Sequence, residues 1–101
     1  MYYNVLRLKD LLEGKGEKFE KRVLMESETG SISMMYLDKE EILDNHVSDR
    51  DGLIYVYEGE AEIHFKAEKF TLKKGELIMF KKNDEHKILA LKDSKFLLIK
   101  V

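Results

Sequence analysis

The chain has 101 residues, enough for one hydrophobic core with little to spare, and its 38% of charged residues sums to a net charge of only −2. Interspersed signs, as in Glu13-Gly14-Lys15-Gly16-Glu17-Lys18, exclude a one-signed nucleic-acid arm or membrane-binding face. No run approaches the ~18 apolar residues of a bilayer span, and cysteine is absent, which removes disulfides, thiolate ligands and a Cys nucleophile. Proline is also absent, so turns rest on Gly, Asn and Asp. The sequence reads as a single cytoplasmic domain with an N-terminal segment over 1–18 and a barrel over about 19–101, without nucleic-acid or membrane partners.

In chain order, Tyr3 to Leu8 reads as a short strand, and Lys9 to Glu13 as one helical turn ended by Gly14. Lys15 to Lys18 reads as exposed and mobile. From Phe19 the apolar period becomes two. Arg22 to Glu26 is strand-like, Glu28-Thr29-Gly30-Ser31 a turn, and Ile32, Met34 and Tyr36 alternate with Ser33, Met35 and Leu37. Asp49-Arg50-Asp51-Gly52 is a turn before the strand Leu53 to Tyr57.

Glu58-Gly59 reads as a two-residue hairpin loop leading into Glu60 to Lys66. That register sets Tyr57 opposite Glu60, Val56 opposite Ala61, Tyr55 opposite Glu62, Ile54 opposite Ile63 and Leu53 opposite His64. One face then carries Ile54, Val56, Ala61, Ile63 and Phe65 and should point inward, and His64 falls on the outer face. Strands follow at Phe70 to Lys73, Leu77 to Phe80, Glu85 to Leu91 and Phe96 to Val101, separated by turns at Gly75 and Asn83. Many short strands divided by turns predict a sandwich or a barrel. The outer face of Leu53, Tyr55 and Tyr57 is apolar enough to need a cover, either the N-terminal segment or a second subunit, and a homodimer is expected.

His46 with Gly59, and Gly75 with His86, bracket these strands in a pattern that resembles the cupin superfamily over about Leu37 to Leu91. The family's first motif opens on Gly, carries two His and a Glu, and closes on Gly. Here Glu40, His46, Ser48, Gly52 and Gly59 stand at those places. The second motif opens on Gly and continues with Pro, Gly, His and Asn, where this chain has Gly75, Lys81, Asn83, His86 and Ala90. The resemblance implies an all-β, antiparallel double-sheet β-barrel, or jelly roll, with at most a short helical turn near the N-terminus and a pocket in its mouth. It implies walls including Tyr36, Ile54, Val56, Ile63, Phe65 and Phe80, with His46, Ser48 and His86 as orienting polar groups. A cupin metal typically takes three His and one Glu; two of those positions, His46 and His86, remain here as candidate ligands for Zn, Fe, Ni or Mn.

Two functions follow from the resemblance. One is non-catalytic binding or sensing of a small polar molecule, a sugar or a carboxylate. The other is a metal-dependent oxygenase or sugar isomerase/epimerase with a two-His site. Other chemistries lack their context. Val47 to Glu58 has EF-hand-like spacing, but Val47 offers no side-chain oxygen and strand-like sequence follows. Gly14-Lys15-Gly16 lacks the glycines of a phosphate loop, and no Gly-x-Ser-x-Gly elbow occurs.

Overall fold

The structure is a computed structural model that describes residues 3–14 and 16–101. A 3-10 turn at Leu8–Asp10 precedes nine strands: β1 Phe19–Glu26, β2 Ser31–Leu37, β3 Ile42–Val47, β4 Gly52–Glu58, β5 Glu60–Phe65, β6 Lys69–Lys73, β7 Leu77–Phe80, β8 Glu85–Ala90 and β9 Ser94–Lys100. They form two antiparallel sheets, five strands in the order β1-β2-β9-β4-β7 and four in the order β3-β8-β5-β6. The fold is the all-β, double-sheet jelly roll that the resemblance implies. Among the described residues no helix is long and apolar enough to cross a membrane.

Several local expectations differ. Tyr3 to Arg7 forms no strand, and Lys15 of the segment expected to be mobile lies outside the described residues. β3 was not legible as a strand, because Asp44 and Asn45 break its apolar alternation. Strand β4 runs through the calcium-like spacing, so the helical flanks of an EF-hand are absent there.

The largest correction concerns Glu58-Gly59. β4 pairs with β7 and β9, whereas β5 pairs with β6 and β8, so the two strands do not form a hairpin. The chain instead turns a corner from one sheet to the other. Gly59 has φ +90, and a Cβ there would lie 2.3 Å from Ser94 Oγ and 2.4 Å from the Asp93 carbonyl oxygen. A second crossing, from β8 to β9, runs beside it. The Leu91 N–H donates to the Glu60 carbonyl at 2.9 Å, and the Glu60 N–H donates to Ser94 Oγ at 3.1 Å. The facing pairs predicted for a hairpin are therefore wrong, yet the assignment of faces survives. Side-chain alternation is a property of each strand alone, and Ile54, Val56, Ala61 and Ile63 are all fully buried between the sheets.

β2 is buried on both faces. Ser33, Met35 and Leu37 face the other sheet, while Met34 and Tyr36, on the outer face, are equally hidden. Their cover is the N-terminal segment: Gly14 lies against the Tyr36 ring, and buried Lys95 donates from Nζ to the Lys9 carbonyl at 2.8 Å. A strand covered on both sides loses polar alternation, which is why Ser31–Leu37 reads as nearly continuous apolar sequence. The segment does not cover β7, where Leu77 and Met79 remain exposed.

The two motif positions that depart from glycine keep glycine's backbone. Glu40 and Asn83 both have φ +72, in the left-handed region. Asn adopts this region more readily than Glu, because its short polar side chain bonds locally.

Candidate functional site

The site begins with a bulge. In the β3–β8 ladder Leu43 faces Ile88, and after a register shift His46 faces His86. Strict alternation would put Leu43 and His46 on opposite faces of β3. The extra residue resets the phase, so both reach the interior side, a typical use of a bulge to re-aim a side chain. The two imidazoles stack with ring centroids 6.1 Å apart and 26° between planes.

His86 is 5% exposed and wedged among aromatic rings, 4.8 Å from Phe80 and 5.9 Å from Phe65. Its Nδ1 lies 3.1 Å from the Asp84 carbonyl oxygen. A carbonyl can only accept, so Nδ1 carries the hydrogen of that bond. His46 is exposed at the mouth. Its pKa is lowered from 6.5, first by loss of water around the ring, then by the facing His86 and by Lys100 and Lys21; Asp44 acts weakly the other way.

Between the sheets, beneath this pair, lies a cavity of about 90 Å³ lined by His46, Ser48, Ile54, Phe80 and His86 among others. Five of the nine residues expected at the site therefore converge. Val56 and Ile63 are fully buried in the filled end of the sandwich rather than at the cavity. Phe65 stands beside His86 and Phe70 without lining it.

Tyr36 is on the opposite face of β2, where its hydroxyl donates to Asp38, so it is no wall of this cavity. Burial first, and then the Asp38 bond, push the Tyr36 phenol well above its usual range. Alternation explains the misplacement: Met35, not Tyr36, shares the inward phase of β2. His64 is on the outer face as expected, with Nε2 3.0 Å from Glu62 Oε1.

Ser48 lines the cavity, but its hydroxyl is committed. It donates to the Arg50 carbonyl at 2.7 Å and accepts from the Arg50 N–H at 3.2 Å, closing the turn into β4. Sequence reasoning missed two other polar lining residues, Lys21 and Lys100. Lys21 shares the inward phase of Phe19 on β1, and Lys100 that of Phe96 and Leu98 on β9. Extending those alternations by one step would have found both.

The metal expectation fails a direct fit test. Where the resemblance places a Glu ligand, Gly52 has no side chain, and a Cβ there would lie 2.7 Å from Phe80 Cζ and 2.6 Å from the Ile99 carbonyl oxygen. The Phe80 ring fills the space a carboxylate would need. Ser48, at the second His position, is turned to Arg50. Among the described residues no three His, Asp or Glu side chains converge as a metal site. Two imidazoles alone fall short of the three or more protein ligands of stable transition-metal centres.

Residues 33–101 match the family described as the cupin domain. The chain belongs to the cupin family. Solved structures agree on the fold. An RmlC-like cupin protein from Desulfovibrio desulfuricans superposes with a TM-score of 0.85 at 20% identity, covering 97% of this chain and 95% of its own. A conserved protein of unknown function from Streptococcus pyogenes gives 0.82 at 23%, covering 100% and 89%. A cupin-2 domain containing protein from Shewanella frigidimarina gives 0.79 at 25%, covering 95% and 93%. No curated protein sequence matches the chain.

A larger hollow of about 780 Å³ opens between the edge strands β6 and β7. It is shallow and mostly apolar, and Asp51 at its rim lies 3.8 Å from Lys81. The smaller cavity is the better candidate, since polar groups from both sheets converge there.

Proposed function

We propose that this cupin is a non-catalytic binding or sensing module for a small polar molecule held between its sheets. The observation that carries the reading is the stacked His46–His86 pair over a cavity whose third-ligand space is occupied by Phe80. Imidazoles at the rim of an apolar hollow can orient a ligand, and the Phe80 ring stands where the family's carboxylate ligand would reach.

The test is a titration of imidazole-labelled protein with small acids and sugars, followed by NMR. Saturable shifts confined to His46 and His86 are expected; shifts at His64 alone would refute the site. Metal analysis of protein purified without chelators tests the catalytic alternative. One transition metal per chain, lost in His46→Ala, would overturn the non-catalytic reading.

A homodimer also belongs to this proposal. Leu77 and Met79 on β7 adjoin Leu53 and Tyr55 on β4, leaving an apolar strip that the N-terminal segment does not reach. Sedimentation of a Met79→Lys variant as a monomer, against a wild-type dimer, would support it. A monomeric wild type would refute it.

A further inference from the structure

We propose that the cavity's ligand is a short-chain carboxylate, its head held between Lys21 and Lys100 on one sheet and the His46–His86 pair on the other. The inference rests on the binding reading above and specifies its substrate class. Its first support is placement. Lys21 on β1 pairs with Met35, and Lys100 at the end of β9 pairs with Gly52, so both line the same cavity from the five-stranded sheet. The imidazoles enter from the four-stranded sheet opposite.

The second support is charge balance. Among the described residues no Asp or Glu lines the cavity. Among the described residues, neither Lys21 nor Lys100 enters an ion pair. The chain as a whole is slightly acidic, so two unneutralised ammonium groups at one hollow are a local feature rather than a basic surface. Lys21 is exposed and Lys100 half-buried, so an anion at the mouth of the hollow would meet both charges.

Size and lining select among anions. A volume of about 90 Å³ corresponds to roughly three waters of liquid. Around the cationic rim the walls are Met35, Leu43, Ile54, Ile88 and Leu98. A carboxylate with a short hydrocarbon tail satisfies both parts. Inorganic phosphate would leave the apolar walls unmatched, and a sugar would place hydroxyls against them while leaving the lysines uncompensated.

The groups facing His46 are His86 from β8, Lys21 from β1, Lys100 from β9 and Asp44 from its own strand. A bound carboxylate would offset the three that oppose its protonation. Proton uptake should therefore accompany binding, and affinity should rise as pH falls toward the imidazole range.

The experiment uses butyrate, inorganic phosphate and glucose as probes on the full chain, read by calorimetry and by the His46 and His86 imidazole signals. Wild type and Lys21→Gln/Lys100→Gln are compared, with thermal melting to verify that the double variant is folded. Butyrate should bind saturably, weaken with added salt, and lose at least about tenfold in affinity in the double variant, the equivalent of one tenfold step in binding constant. Phosphate or glucose binding as well as butyrate, or an unchanged affinity in the folded double variant, would overturn the carboxylate assignment while leaving a binding cavity. Imidazole signals that no probe moves would overturn both.

Discussion

Gly59 and Gly75 have almost the same backbone, φ +90 and +88, but opposite surroundings. Alanine at either position must adopt a left-handed conformation, at a cost of roughly 1–2 kcal/mol. Restricting the unfolded chain offsets about 0.4–1 kcal/mol of that. At Gly75 nothing lies within 4 Å of an added Cβ, so Gly75→Ala should destabilise by only about 0.5–1.5 kcal/mol.

At Gly59 the methyl would meet Ser94 Oγ at 2.3 Å and the Asp93 carbonyl oxygen at 2.4 Å. Ser94 is itself held, donating to the Lys92 carbonyl at 2.6 Å and accepting from the Glu60 N–H. The two sheet crossings would have to separate, which adds about 1–3 kcal/mol for overpacking. Gly59→Ala should thus lose about 1.5–4.5 kcal/mol in all, once strain and overpacking are combined. At about 4–8 °C per kcal/mol for a domain of this size, the Gly59 variant should melt at least ~6 °C lower than wild type. The Gly75 variant should lose roughly half of that or less. Urea unfolding followed by circular dichroism gives both values. Equal losses in the two variants would refute the argument that a crowded corner, rather than φ alone, requires Gly59.

Two further expectations concern the backbone and the imidazole pair. Glu40→Gly relieves a left-handed glutamate and should raise stability by about 0.5–1 kcal/mol, the strain less the entropy of the new glycine; a lower urea midpoint would contradict it. His46 has a lowered pKa in the folded chain. As pH falls through 6.5 the unfolded chain therefore binds more protons. Stability should decline over that window, then level off once the folded-state ring also protonates. Comparing urea midpoints at about pH 7.5 and about pH 5.5, on either side of the ordinary imidazole value, His46→Gln should show a smaller drop than wild type; equal drops would refute this.

The strands and their inward faces were legible because pleating fixes alternation residue by residue, whatever the neighbours. Ile54, Val56, Ala61 and Ile63 were placed inside on that basis, and they are inside. His86 was legible as a motif position, and so was His46, though the bulge that turns His46 inward leaves only a weak mark in the sequence. The pairing of strands was not legible. A hairpin and a sheet-to-sheet corner both accept glycine with positive φ, and the choice depends on contacts with Asp93 and Ser94, distant in sequence.

The site divides along the same line. The family resemblance pointed to the two imidazoles and to Gly52 at the place of the Glu ligand. Only the folded chain shows that Phe80 fills that space, that Tyr36 lies beneath the N-terminal segment, and that Lys21 and Lys100 line one cavity with the imidazoles. Orientation about a strand is set by the backbone of that strand, whereas convergence requires closing long loops and stacking two sheets, which no short window of residues contains.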